Sequence, residues 1–389
     1  MRLGRCSPFL AAAALALALA GCKAGSGPGD AGGASGAQAK GGTLKMGAAL
    51  SMTGAAATYG QSQKNGLETA AEEVNGANSL QGIRLELLVE DDATSKEQGI
   101  NVFQRFINTD KVSVIIGPTL STTATAADPL AQQAQVPVLA ISNTSPTGIT
   151  DIGDYIWRDS LTEAQVVPGA VKKAKARIGF KTAAVLYGND DVFTKAGYDV
   201  MKKALADENV TVVDTQTFAK PDRDFSAQLT AIKGKGPEIM VVSALADNAA
   251  AIVAQARQLG YSGPILGGNG FNSPAFIKNA GPAAEGVLVG TSWNSASTAP
   301  ANQRFKELMQ KRGVNPDQFS AQAYSGVLIV AEAVRKAGFK TGRDDIKGGF
   351  AQVKDLDTPL GKFSFTAKRD AQHEPAVQQV KDGKFQIVE

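Results

Sequence analysis

The stretch from Val112 to Pro146 constrains this chain more than any other. Two short apolar runs, Val112 to Ile116 and Val136 to Ile141, each empty into a cluster of small hydroxylated residues. Gly117-Pro118-Thr119-Leu120-Ser121-Thr122-Thr123 follows the first, and Ser142-Asn143-Thr144-Ser145-Pro146 follows the second. A run rich in Val and Ile, then a Gly/Pro/Ser/Thr cluster, then an Ala-rich helical pattern, predicts a buried strand handing over to a helix N-terminus. Two such handovers side by side aim backbone N–H groups and hydroxyls into one crevice, a setting that receives an anionic group such as a carboxylate. Ordinary helix capping accounts for the same hydroxyls, and the stretch by itself leaves both readings open.

The chain on either side repeats the rhythm. Leu44 to Leu50 and Ile83 to Val89 predict strands, and Gln61 to Val74, Ser95 to Asn108 and Thr123 to Gln133 predict helices. From Glu163 the alternation starts again, through strands at Ala183, Thr211, Ile239, Ile265 and Gly286 with helices between the first four. Strand alternating with helix argues for parallel sheets covered on both faces, and two runs of it argue for two such lobes. Two helices, Gln303 to Lys311 and Phe319 to Ala337, and two late strand-like segments, Phe363 to Phe365 and Val377 to Val380, do not make a third domain. Returned to the first two lobes, they make the chain cross between lobes more than once, which is the anatomy of a hinge around a cleft. The expected ligand site lies in that cleft, at the carboxyl ends of the strands.

The first residues read differently. Arg2 and Arg5 precede an Ala/Leu run from Phe9 to Ala20, closed by Leu19-Ala20-Gly21-Cys22. Residues 1–21 are therefore expected to be a signal peptide, too short to span a membrane permanently. The tetrad resembles the lipobox of bacterial lipoproteins, which makes Cys22 the expected lipidation site and the cell envelope the expected location. Residues 22–42, almost all Gly, Ala and Ser, read as a flexible tether. Of the 2 cysteines, Cys6 leaves with the signal peptide, so no disulfide is expected and stability must come from large cores. A net charge of +3 over 389 residues gives no basis for nucleic-acid binding.

Equipment for catalysis is missing from the sequence. The single histidine, His373, sits in a polar, turn-like setting that predicts a surface residue, which excludes His-based nucleophilic triads and His/Cys zinc sites. Gly267-Gly268-Asn269-Gly270 follows a strand but lacks the dinucleotide-binding register, and no phosphate-binding Gly-Lys-Ser/Thr loop is present. Asp91-Asp92 and Asp190-Asp191 are expected to cap helices and face water. No cofactor, no metal and no enzyme are expected.

From Leu44 onward the chain resembles the type I periplasmic binding proteins of the branched-chain amino acid transporter class. The resemblance rests on Gly47 to Gly54 with Tyr59-Gly60, Glu90-Asp91-Asp92, Ile116-Gly117-Pro118 with Ser121, and Val136 to Ser142 with Thr144. Asp224-Phe225, Gln255-Ala256-Arg257 with Gly260, and Ala284-Glu285-Gly286 continue it in the same order. It implies two doubly wound parallel-sheet lobes joined by a three-crossover hinge, with lobe 1 at 43–157 plus 291–360 and lobe 2 at 158–290 plus 361–389. The implied function is capture of a small polar ligand, an amino acid or a related carboxylate or amide, for a membrane permease of an ABC transporter. A sensor of the same fold reporting to a signalling partner is the alternative.

By the same resemblance Ser121, with Ser142, Asn143 and Thr144, would hold the ligand carboxylate, Tyr59 would cover the ligand, and Phe193 would stand where the second lobe often has Tyr. Asn269 departs from the pattern, because amino-acid binders resemble one another in carrying an acid there to pair the ligand ammonium. An uncharged Asn leaves that ammonium without a counter-charge. Either another acid, Asp191 or Asp247, takes over, or the ligand has no ammonium.

Overall fold

A computed structural model describes residues 41–388; the expected signal peptide, Cys22 and nearly all of the expected tether lie outside them. The first part of the chain runs β1 (Gly42–Leu50), α1 (Ala57–Gly76), β2 (Ile83–Asp91), α2 (Lys96–Arg105), β3 (Val114–Ile116), α3 (Ser121–Gln133), β4 (Val138–Ala140) and β5 (Ile156–Arg158). These strands form one 5-stranded sheet in the order β2-β1-β3-β4-β5, parallel throughout. β3, β4 and β5 are buried at every residue, as continuous apolar strands of a doubly covered sheet must be.

The second part runs α4 (Glu163–Ile178), β6 (Thr182–Gly188), α5 (Val192–Asp207), β7 (Thr211–Phe218), α6 (Ser226–Lys235), β8 (Ile239–Ser243), α7 (Ala246–Gln258), β9 (Ile265–Gly267), α8 (Pro274–Ala280) and β10 (Leu288–Thr291). α4 starts where the sequence dictates. Thr162 and Gln165 form a reciprocal capping box, and Gly179 ends the helix in the left-handed conformation. Helices α9 (Pro300–Lys311), α10 (Gln318–Lys336) and α11 (Arg343–Phe350) follow, and then strands β11 (Leu356–Thr358), β12 (Gly361–Phe365), β13 (Ala371–Gln372), β14 (Ala376–Lys381) and β15 (Lys384–Ile387). The second sheet has 7 strands in the order β15-β14-β10-β9-β8-β6-β7, parallel from β7 to β10 and antiparallel at β14 and β15.

The chain passes from the first sheet to the second after β5, returns after β10, and passes over again before β14. The last crossing falls later than expected. Phe363 and Ala371 are fully buried in the core of the first lobe, with α1 and α10, so β12 and β13 belong with lobe 1 and only the residues from about Ala376 join the second sheet. Short helices α8 and α11 and strands β5, β11, β13 and β15 were not legible as periodic segments, being two to eight residues long. The aspartate pairs also differ from expectation. Asp92 is fully buried and accepts the Ser51 hydroxyl at 2.6 Å, and Asp191 caps α5 as expected but is buried.

α10 is the most enclosed helix of the first lobe, and it packs along α1. The contact is close because Gly66 of α1 faces the Ser320 carbonyl, where a Cβ would collide. Gly66→Ala is expected to destabilise the protein by about 1–3 kcal/mol, read as a lower urea midpoint at unchanged slope.

Candidate functional site

In each sheet the strand order reverses direction beside its first strand, between β1 and β3 in one lobe and between β6 and β8 in the other. Loops leaving the carboxyl ends of those strands diverge there, which opens a crevice. The two crevices face each other across a narrow cavity. Tyr59, Thr119, Leu120, Ser121, Ser142 and Thr144 line it from the first lobe, Phe193, Leu245, Asn269 and Gly270 from the second, and Phe319 from the start of α10.

The capping explanation of the hydroxyl clusters fails on geometry. The N-cap of α3 is Leu120, which makes no side-chain cap bond, and Ser121 to Thr123 already lie inside the helix. The second cluster is followed by a short 3₁₀ turn at Thr150–Ile152 rather than by an α-helix. The amino end of α3 therefore meets the cavity with its first N–H groups free of a side-chain cap, beside the Ser121 hydroxyl.

A chain of buried hydrogen bonds fixes the loop after β3 to the loop after β4. Ser51 N–H donates to Thr119 Oγ1 at 2.9 Å, and that hydroxyl donates to Gln63 Oε1 at 2.7 Å. Gln63 Nε2 then donates to Ser142 Oγ at 2.6 Å, and Ser142 donates to the Thr119 carbonyl at 2.6 Å. Gln63 is fully buried on α1. In the sequence it is one polar residue of a helical pattern, with nothing to mark it as the brace between two loops.

Asn143 is the one expected site residue that the cavity wall does not include. Its amide turns inward to the Thr119 carbonyl at 3.4 Å, and its own carbonyl accepts Arg158 Nη1 at 2.9 Å. Arg158, fully buried, also reaches the Ser145 carbonyl at 2.5 Å and pairs with Asp370 at 2.6 Å. Its guanidinium thus clamps the two residues flanking Thr144.

The lobes touch directly around the cavity. Tyr59 OH donates to the Gly270 carbonyl and accepts from the Ala246 N–H, both at 2.6 Å, while its ring stacks on Phe319 at 4.3 Å. Burial pushes the Tyr59 phenol well above its ordinary range, so it stays protonated as this donor. Thr122 donates to Asp191 at 2.7 Å and accepts from Val192 N–H at 2.8 Å. Tyr59, Leu120, Phe193, Leu245 and Phe319 form one apolar cluster spanning both lobes. One end of the cavity is therefore apolar and aromatic, and the other is hydroxyl and amide.

Neither acid considered as a replacement at Asn269 stands beside it. Asp191 is engaged by Thr122, by its own helix and by Lys220 at 3.6 Å, and Asp247 accepts from Asn279 at 3.3 Å on the outside of α7. The acid beside Asn269 is Glu163, the first residue of α4 and fully buried. Its Oε1 accepts from Asn269 Nδ2 at 3.0 Å, from Asn269 N–H at 3.3 Å and from Thr144 Oγ1 at 3.2 Å. Burial outweighs these bonds and pushes its carboxyl up to about 7. An acidic residue in a first helical turn is ordinary dipole chemistry, so its sequence position carries no signal of this role.

Lobes, cleft and hinge define a bilobal receptor for a small molecule. Residues 43–384 match the family model described as "Periplasmic binding protein", and the chain belongs to that family. It is 28% identical, over 84% of its length and 87% of the relative, to the leucine-, isoleucine-, valine-, threonine- and alanine-binding protein of Pseudomonas aeruginosa. Among solved structures it is similar to the branched-chain amino acid transporter substrate-binding protein LivJ of Streptococcus pneumoniae in complex with isoleucine, with a TM-score of 0.83 and 26% identity over 89% of this chain and 99% of that one. It is also similar to an ABC transporter solute-binding protein of R. palustris in complex with 4-hydroxybenzoate, with a TM-score of 0.79 and 25% identity over 89% of this chain and 95% of that one. The chain is accordingly an extracytoplasmic solute-binding protein of the ABC transporter class.

Proposed function

We propose that this protein captures a small carboxylate-bearing ligand with an apolar end, amino acids included, and presents it to a membrane permease while tethered to the membrane through lipid on Cys22. The observation that carries the reading is the polarity of the cavity. The amino end of α3 with Ser121 suits a carboxylate, and Tyr59, Leu120, Phe193, Leu245 and Phe319 suit an aliphatic or aromatic tail. The cross-lobe bonds of Tyr59 and Thr122 supply contacts that hold the lobes together once they meet.

A thermal-shift screen of amino acids, aliphatic acids and aromatic acids tests the reading, since a ligand that binds the folded state raises its stability. Ser121→Ala is expected to weaken the best ligand by about tenfold, the loss of one charge-assisted hydrogen bond. Unchanged affinity in this variant would remove the carboxylate assignment. For the anchor, metabolic labelling with a palmitate analogue is expected to mark the unmodified chain and to fail with Cys22→Ala.

A further inference from the structure

Glu163 presents a problem that the fold does not resolve by itself. Only one of its carboxylate oxygens is bonded; Oε2 is buried without a partner. Among the described residues no basic side chain pairs with it, and its partners are a hydroxyl, an amide and a backbone N–H. A buried acid so placed is costly to the folded chain unless something else uses its charge.

Its three hydrogen bonds also fix what Thr144 and Asn269 show to the cavity. Thr144 spends its only proton on Glu163, which leaves its oxygen lone pairs for the cavity. Asn269 spends its Nδ2 on Glu163, which turns Oδ1 the other way, where it already accepts Gln318 Nε2 at 3.3 Å. Two residues from opposite lobes thus present acceptors, backed by one carboxylate. Space around the carboxylate is kept by glycine: a Cβ at Gly268 would come within 3.0 Å of Oε2.

We propose that Glu163 is the counter-charge for an ammonium group on the ligand, acting through Thr144 and Asn269 as a positioning residue, so that the cleft selects α-amino acids over amine-free carboxylic acids of the same skeleton. This rests on the carboxylate reading of the cleft given above and deepens it. The ammonium donates to Thr144 Oγ1 and Asn269 Oδ1 with the Glu163 charge behind them. The negative charge at this end of the cleft thereby resides at residue 163, on the first helix of the second lobe, and residue 269 supplies orientation. An amine-free acid would leave the Glu163 charge without a cationic partner, which is the stronger way for a site to discriminate.

The experiment is calorimetric titration at pH 8 with two matched pairs, L-leucine against 4-methylpentanoate and L-phenylalanine against 3-phenylpropanoate. In the unmodified protein the better-fitting amino acid is expected to bind at least about thirtyfold more tightly than its amine-free partner. Glu163→Gln is expected to collapse that ratio to within a few-fold by weakening the amino acid and sparing its partner, and adding Asn269→Glu is expected to restore it. A purely structural role for Glu163 would weaken both members of a pair alike and would gain nothing from a carboxylate at 269. Equal or better binding of the amine-free acids by the unmodified protein would overturn this inference and leave the carboxylate cleft standing. Failure of all four compounds, and of the wider screen of acids, would overturn the cleft reading and this inference with it.

Discussion

Glu163→Gln should make the ligand-free protein more stable at pH 8 and leave it unchanged near pH 4.5. The Glu163 carboxyl rises from its ordinary 4.5 to about 7, with burial as the main cause. Between those values the folded chain holds a proton that the unfolded chain has lost. The favourable contribution of the neutral acid is therefore complete below pH 4.5 and lost as pH rises through 7. A shift of this size is worth about 3 kcal/mol of stability across that window. Glutamine keeps an acceptor for Thr144 and Asn269 without the charge, so the variant should lack the loss. Urea unfolding of both proteins between pH 4.5 and 8 measures it, with the difference growing from near zero to about 3 kcal/mol in favour of the variant. A constant difference over that range would mean that Glu163 titrates normally. Gaining stability while losing amino-acid selectivity is the trade-off expected of a group retained for binding.

Arg158→Met should have the largest destabilising effect of any single change at the site, about 3–5 kcal/mol. The side chain is fully buried, and it donates at once to Asp370, to the Asn143 carbonyl and to the Ser145 carbonyl. Removing it takes four N–H donations away from two buried carbonyls and from Asp370, which keeps only the Thr150 hydroxyl. Because Thr144 stands between the two clamped carbonyls, ligand affinity should fall along with stability. Arg158→Met combined with Asp370→Leu should recover part of the loss, since the uncompensated charge goes with its partner. A midpoint shift below about 1 kcal/mol in the single variant would show that the clamp is redundant.

Much of this architecture can be read from the chain because its periodicity is strong. β1, β3, β4 and the central strands of the second sheet are apolar runs bounded by turn residues, and their helices keep apolar stripes. The last crossing was misplaced because β12 alternates like any surface strand, and only its packing shows that Phe363 faces the first core. At the cleft, Tyr59, Ser121, Ser142, Thr144, Phe193 and Asn269 all line the cavity, since they lie in loops or helix starts that follow strand ends. Asn143 shares that loop but points to the opposite side. Gln63, Leu245, Phe319 and Glu163 escaped notice for one reason. Each is an unexceptional residue at or near a helix start or on a helix face, and its meaning comes from a partner more than fifty residues away: Glu163 meets Asn269 across 106 positions, and Gln63 meets Thr119 across 56.

The C-terminal hairpin of the second sheet has a consequence in time. β10 is flanked by β9 on one side and by β14 on the other, and β14 comes from near the end of the described chain. While the chain is being made from its amino end, β10 has no second neighbour until the segment from Ala376 has followed it. An unpaired strand edge of that kind recruits other chains. The second lobe is thus finished only once the segment from Ala376 has arrived, and a chain shortened before Ala376 should aggregate during folding even though its cavity-lining residues are all present.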